Sequence, residues 1–259
     1  MTGQMVGIVV PTLGTRPEFL LQCLTSIRNA GNAYILIVAP EKADLSEVET
    51  QGLVDGRLTD PGSGLAAAID FGLTSLPESI EFINWLGDDD KLTSGSLRIS
   101  AEALQGNPKA PYAFGGCNYI DETGRVLWTN RSGRWAKYLM RVGPDLIPQP
   151  GALMRRKSFE AIGGLDTSFG WAFDLDMFLR LEKLGKGVFL NHVLAEFRWH
   201  EGSLSVGARS GSAKESRAIR TAQLPRYIRC VAPIWEVPFG LAGHLAAKKL
   251  SRSATNKSS

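Results

Sequence analysis

Three consecutive carboxylates, Asp88-Asp89-Asp90, stand directly behind the apolar run Glu81–Leu86 (EFINWL), with only Gly87 between. Adjacent carboxylates repel by about 1 kcal/mol or more per close pair unless a cation or solvent intervenes. A solvated turn in which one Asp caps the next helix meets that condition. So does a hard divalent cation, because the run reads as a buried strand and the triplet then falls at its carboxyl end. Mg2+ takes one or two carboxylates plus phosphate oxygens, so position and charge point to a metal–diphosphate ligand. A second acidic spot lies further on. Asp174, Met177, Phe178 and Leu181 fall at i, i+3, i+4, i+7, which puts Asp174 on the inward stripe of a helix. Asp176 with Arg180, and Glu182 with Lys186, are i,i+4 pairs expected on the outer side. Asp174 falls in the first turn, where the dipole favours a carboxylate. A helix cap and a chemical role are both open to it, and an inward-facing Asp is a candidate for the latter. His200, in Arg198-Trp199-His200-Glu201-Gly202-Ser203, is one of three histidines and follows a strand-like run. A surface or core position is the commoner fate of such a residue.

The elements that must place these groups read as alternating strands and helices. Val6–Val10 is a continuous β-branched run ended by Pro11, as a buried parallel strand would be. Pro17 opens a helix whose Phe19, Leu20, Cys23, Leu24 and Ile27 form an apolar face, and Gly31-Asn32 ends it. Tyr34–Val38 is a second buried strand, so the opening segment is a βαβ unit. After a polar loop, Asp60-Pro61-Gly62-Ser63-Gly64 leads into an Ala-rich helix over 65–73. Glu81–Leu86 is the third strand, and a helix follows near 94–104. In open sheets of this kind ligands bind at the carboxyl edge of the strands. The second half is more mixed. Tyr112–Ile120 and Val126–Trp128 flank Asp121-Glu122-Thr123-Gly124 as a hairpin. The stretch from Met154 leads to a short helix ending at Gly163-Gly164. A strong helix over 173–184 is closed by Gly185, and Val188–Leu190 and Val193–Phe197 are two short strands.

Composition limits the class. With 259 residues, 44% of them hydrophobic and 21% charged, the chain has material for a large core and is not disordered. No apolar run reaches membrane-spanning length. The N-terminus lacks the basic-then-apolar pattern of a secretory leader, and Cys23, Cys117 and Cys230 are too few and too scattered for a disulfide framework. A cytoplasmic setting is expected. The net charge of +3 hides an asymmetry: from Ser205 onward ten Lys/Arg face two Glu, a balance of +8, and the preceding residues carry −5.

Taken in order, these pieces resemble the family 2 glycosyltransferases over residues 5–206. Val9-Val10-Pro11-Thr12 with Arg16-Pro17-Glu18-Phe19-Leu20 is similar to the family's opening strand, loop and helix. Asp60 through Ala68 resembles its N-x-G-x-a-x-A-x-N segment, and Phe82 through Asp90 the strand ending in a DxD-type motif, nearest to the W-L-N-S-D-D form. Gln149-Pro150-Gly151-Ala152, Gly163 to Phe169, Ala172 to Leu181 and Phe197 to Ser205 follow the acceptor-side signature in order and spacing. Two departures stand out. Gly87 replaces the first Asp of DxD, and Val38 is followed by Ala39-Pro40-Glu41 where the family usually carries an aspartate.

The resemblance implies an α/β fold of GT-A type: a Rossmann-like, mostly parallel sheet flanked by helices. A small mixed acceptor-side subregion and a basic C-terminal helical tail complete it. The domain would span 1–204, with a nucleotide-sugar half (1–110) and an acceptor half (111–204), and the tail 205–259. It implies an inverting transferase with Asp174 as base. The metal, Mg2+ or Mn2+, would lie at Asp88, Asp89, Asp90 and His200, and the nucleotide of a UDP, GDP or dTDP sugar at Pro11, Thr12, Arg16, Asp60, Gly64 and Asp88. Glu41 would stand in for the missing aspartate. The acceptor would be a saccharide, lipid-linked or of the cell envelope. In the tail, Ile219, Leu224, Tyr227, Ile228, Val231, Ile234 and Trp235 interleave with arginines, which suits an anionic membrane surface on the cytoplasmic face of the inner membrane as well as a solvated face packed on the body. No nucleic-acid-binding signature is present. Two rivals remain. Leu13-Gly14-Thr15-Arg16-Pro17 is faintly similar to the loop of sugar-phosphate nucleotidyltransferases, and the two departures suit a non-catalytic sugar-nucleotide-binding module.

Overall fold

In the computed structural model, residues 5–131, 133, 136, 140, 147–199 and 209–223 are described. The first half is the expected parallel layer. Strands β1 (Val6–Pro11), β2 (Ala33–Ala39), β3 (Gly56–Thr59) and β4 (Phe82–Trp85) alternate with helices α1 (Pro17–Ala30), α2 (Ser46–Thr50) and α3 (Leu65–Thr74). β1 pairs in parallel with both β2 and β4, and β2 with β3. Helices cover both faces, and the period of two sorts the side chains between them. Ile8, Val10, Ile35 and Ile37 join α1 in one core, whereas Val9, Leu36 and Val38 join α3 in the other. The stretch expected as a polar loop after β2 holds α2 and the edge strand β3, both too short for periodicity to reveal.

The second half is mixed. After β5 (Lys91–Leu92) and α4 (Ser96–Gly106) come the hairpin β6 (Tyr112–Ile120) and β7 (Val126–Asn130), then β8 (Leu153–Arg155), α5 (Arg156–Ala161), α6 (Phe173–Leu184), β9 (Val188–Arg198) and α7 (Arg209–Gln223). The order is β3-β2-β1-β4-β8-β6-β9-β5, with β7 on β6. β8, which the sequence showed only as a lead into α5, is the antiparallel splice between the halves: Met154 faces Ile83 on one side and Tyr112 on the other. The two short strands expected at 188–197 are one. β9 runs parallel to β6, and its register slips between Phe114 and Gly116. Gly115 permits the slip, since a Cβ there would stand 2.6 Å from the His192 carbonyl.

Helix α6 corrects another expectation. Asp176 and Glu182 do not point outward; both are buried. Asp176 accepts from Arg180 Nε at 2.6 Å, and Arg180 Nη1 donates to the Ile162 and Gly164 carbonyls. Glu182 accepts from the Tyr112 hydroxyl at 2.8 Å and the Gly187 N–H at 3.0 Å. The helix is wrapped nearly all round, so i,i+4 spacing marked a true pair in Asp176 and Arg180 on a face that is not solvated, whereas Glu182 is bonded by Tyr112 and Gly187 rather than by Lys186.

α3 lies close against the sheet because Gly72 has no side chain. A Cβ there would stand 2.6 Å from Val9 Cγ1 and 2.8 Å from Val38 Cγ2. Valine is stiff at χ1, so neither methyl yields easily. Gly72→Ala gains up to about 1 kcal/mol of helix propensity against overpacking of about 1–3 kcal/mol. The substitution is expected to lower the melting midpoint by roughly 2–6 °C in a thermal unfolding measurement; an unchanged or raised midpoint would show that α3 has room to move.

Candidate active site

The carboxyl ends of β1 and β4 open onto a cleft of about 940 Å³, lined by Pro11, Thr12, Arg16, Asp60, Gly64, the triplet Asp88–Asp90 and Asp174. That volume lies within the usual range for sites holding small ligands. Both acidic spots therefore face one space. Of the sequence-derived candidates, Glu41 is elsewhere: it sits in an exposed turn behind Pro40 and does not line the cleft. His200 lies outside the described residues, as do Leu224 onward in the tail.

The triplet is held by a specific set of partners. Thr12 Oγ1 donates to Asp88 Oδ2 at 2.6 Å and accepts from the Gly14 N–H at 3.0 Å. Arg16 spans two carboxylates, with Nη2 on Asp88 Oδ1 at 2.8 Å and Nη1 on Asp89 Oδ2 at 2.9 Å. Asp90 Oδ1 accepts the backbone N–H of Arg198 at 2.9 Å. Burial and the neighbouring Asp89 and Asp88 charges push the Asp90 carboxyl well above the usual carboxylate range. Burial, with the same carboxylates, pushes the Cys23 thiol up, and Cys23 Sγ donates to the Gly87 carbonyl.

Arg198 belongs to a motif in which the sequence alone assigns it no task. Its side chain is 1% exposed. It donates to the Asp89, Asp121 and Glu122 carbonyls and to Gln22 Oε1, and its guanidinium lies 4.3 Å over the Phe19 ring. One buried cation thus ties the aspartate turn to α1, the β6–β7 hairpin and the end of β9. Gln149 is a second such residue. Its Nε2 donates to Asn84 Oδ1 and the Trp85 carbonyl, both at 3.0 Å, bracing the wall just before the triplet.

Across the cleft, Asp174 occupies the first turn of α6 and is half-buried. Its Oδ1 accepts the Leu175 N–H at 2.8 Å. Burial pushes its carboxyl up to about 6, against the opposing pull of backbone N–H groups. At neutral pH such a group is mostly ionised yet more basic than an exposed carboxylate, which suits a proton acceptor. Trp85, at the end of β4, and Phe173, at the start of α6, pack with ring centroids 6.0 Å apart, so the strand that ends in the triplet touches the helix that carries Asp174.

A divalent cation is implied by the sequence resemblance. Among the described residues no group of three or more His, Cys, Asp or Glu side chains is placed to ligate one ion. A cation carried on a diphosphate needs fewer protein ligands, one or two carboxylates being enough. Asp89, the least buried of the triplet, offers hard oxygens at the cleft wall. The donor set fits Mg2+ or Mn2+ shared with phosphate oxygens.

No family model matches the chain. No curated protein sequence matches it either. Solved structures do. Staphylococcus aureus TarS superimposes with a TM-score of 0.62 at 11% identity, over 87% of this chain and 41% of TarS. Its 1–349 portion in complex with UDP-GlcNAc gives 0.61 at 12% identity, over 87% and 69%. A mannosyltransferase from Pyrobaculum calidifontis, in complex with GDP-Man and Mn2+, gives 0.61 at 15%, over 99% and 80%. The chain shares the α/β fold of these structures. At these identities the likeness is one of architecture, and the chain spans less than half the length of full-length TarS.

The raised Asp174 carboxyl has a consequence for stability. Its folded pKa lies above the ordinary value of 3.8, so the folded state binds that proton more tightly, and stability falls as pH rises from about 4 through 6. Asp174→Asn removes the ionisation and is expected to stabilise the protein by about 1–3 kcal/mol at pH 8, seen as a higher melting midpoint that shrinks toward the wild-type value by pH 4. Equal midpoints at pH 8 would mean that Asp174 is not desolvated.

Proposed function

We propose that the chain is an inverting glycosyltransferase that moves a sugar from a nucleoside-diphosphate donor to an acceptor hydroxyl. The observation that carries this reading is the shared cleft, with a carboxylate triplet at one wall and a proton acceptor at the other. Structural neighbours in complex with UDP-GlcNAc and with GDP-Man and Mn2+ support it.

In this reading the nucleotide lies over the ends of β1 and β2, near Pro11, Thr12, Asp60 and Gly64. Asp60 Oδ1 accepts the Gly62 N–H at 2.8 Å and shapes the loop that leads into α3. Asp89, with its neighbours in the triplet, would hold a divalent cation, which when bound offsets the charge that grows on the departing diphosphate. Arg16 keeps two of the three carboxylates from repelling one another and fixes their orientation. Asp174 takes the proton of the acceptor hydroxyl as its oxygen bonds to the anomeric carbon. The bond from that carbon to the diphosphate oxygen breaks on the opposite face, and the electron pair leaves with the nucleoside diphosphate. One displacement gives one inversion, with no sugar–enzyme bond.

The acceptor class is read from the tail. The +8 balance beyond Ser205, interleaved with apolar residues, favours an anionic lipid surface at about 1 kcal/mol per basic residue, and so a lipid-linked or envelope saccharide. No helix among the described residues is long and apolar enough to cross a membrane.

Two experiments test the reading. The first screens nucleoside diphosphates and nucleotide sugars by thermal shift, with and without Mn2+, and then follows transfer with the donor it selects. Asp174→Asn should lower kcat by about 10²–10⁴-fold while donor binding survives, and wild-type kcat/KM should fall tenfold per pH unit below about 6. Retention of most of the rate in the variant removes Asp174 as base. The second compares sedimentation with anionic liposomes for the full chain and a chain ending at Gln223. Binding only by the full chain is expected, and equal binding by both excludes residues 224–259 as the anchor.

A further inference from the structure

The helix that carries Asp174 starts without a local cap. Its N-cap residue is Ala172, which has no side chain to accept a hydrogen bond. Of the N–H groups at its start, that of Leu175 is taken by Asp174 itself, whereas that of Ala172, with those of the two residues before it, finds its acceptor far along the chain. Glu215, on α7, accepts three backbone N–H groups in a row. Its Oε1 takes Gly170 at 3.0 Å, and its Oε2 takes Trp171 at 2.9 Å and Ala172 at 3.0 Å. Burial would raise this carboxyl, yet the three N–H donors hold it below the usual range.

The rest of α7 is seated to keep Glu215 there. Ile219 is 2% exposed and belongs to the same core as Phe173 and Met177 of α6. Gly211 passes close to Trp171, where a Cβ would stand 3.0 Å from the indole nitrogen. Gly170, Trp171, Ala172 and Ser216 line the cleft beside Asp174. The segment that Glu215 grips is thus cleft wall and leads directly into the residue proposed as base.

We propose that Glu215 is a positioning residue for the transfer reaction, acting through the 170–172 backbone to fix where Asp174 meets the acceptor hydroxyl. The first helix of the basic C-terminal segment is then part of the catalytic body. The inference rests on Asp174 being the base.

The test compares wild type with Glu215→Gln, Glu215→Ala and Glu215→Asp. Glu215→Gln has nearly the same shape and is the variant expected to fold as wild type does. Hydrogen exchange at the 170–172 amides needs no substrate; it should speed up in the Gln and Ala variants and recover in part in the Asp variant. With UDP-GlcNAc and GDP-mannose as probes, each with Mn2+, kcat in the Gln and Ala variants should fall by roughly 10–100-fold. The donor KM should stay within about twofold, because Glu215 does not touch the nucleotide side. The acid limb of the kcat profile should move to lower pH, as a loosened loop lets water reach Asp174. Unchanged exchange at the three amides, or faster exchange with wild-type kcat and acid limb, overturns the proposal. Failure of the parent reading looks different: Asp174→Asn then keeps its rate whatever the Glu215 variants do.

Discussion

The structure around the cleft depends on how three adjacent carboxylates are kept in place. Two unit charges 4 Å apart interact by about 4 kcal/mol near a protein surface, and a triplet at the end of a buried strand cannot simply turn each charge to water. Here Arg16 takes Asp88 and Asp89, Thr12 takes the second oxygen of Asp88, and the Arg198 backbone takes Asp90. These partners come from the β1–α1 loop and from the last residue of β9. The charge gathered at the end of β4 therefore also binds the two halves of the sheet together. Removing a compensating group would loosen the triplet and the sheet junction at once.

A second constraint comes from the topology. β4 lies between the parallel layer and the antiparallel splice β8, so the strand that ends in the aspartates is anchored on both sides. On one side it pairs with β1, whose end carries Thr12. At its own end Trp85 meets Phe173, one residue before Asp174. An acid–base group and a charge-binding group placed from separate elements can hold a reactive geometry only if both are fixed to the same rigid layer. The cost shows in Asp174 itself, a carboxyl held in surroundings that favour its protonated form, as the proposed role of proton acceptor requires.

Much of this is legible in the sequence where the signal is local. β1, α1, β2, β6 and α6 have strong periodicity or clear punctuation, and their observed bounds match the expected ones to within a residue or two. The triplet after an apolar run and the inward Asp174 are visible for the same reason. The illegible parts depend on partners distant in the chain. β8 is three residues long and is a strand only because β4 and β6 flank it. Asp176 and Glu182 read as solvated because an i,i+4 pair says nothing about what covers it; Tyr112, seventy residues away, is what buries Glu182. Arg198 sits in a recognisable motif, but its acceptors lie on Gln22, Asp89, Asp121 and Glu122 and meet only in the folded sheet. Position after β2 points Glu41 to the nucleotide, whereas the chain turns away from the cleft at Pro40 and leaves it exposed.

The central claim is that one cleft holds the leaving diphosphate against the triplet while the anomeric carbon faces Asp174. A crystal structure with an intact nucleotide sugar and Mn2+, the metal located by its anomalous signal, tests this most directly. The account predicts a manganese peak at Asp89 shared with the diphosphate, and Asp174 on the opposite side of the sugar ring from the leaving oxygen. A donor bound outside this cleft, or Asp174 on the same side of the ring as the diphosphate, would contradict it.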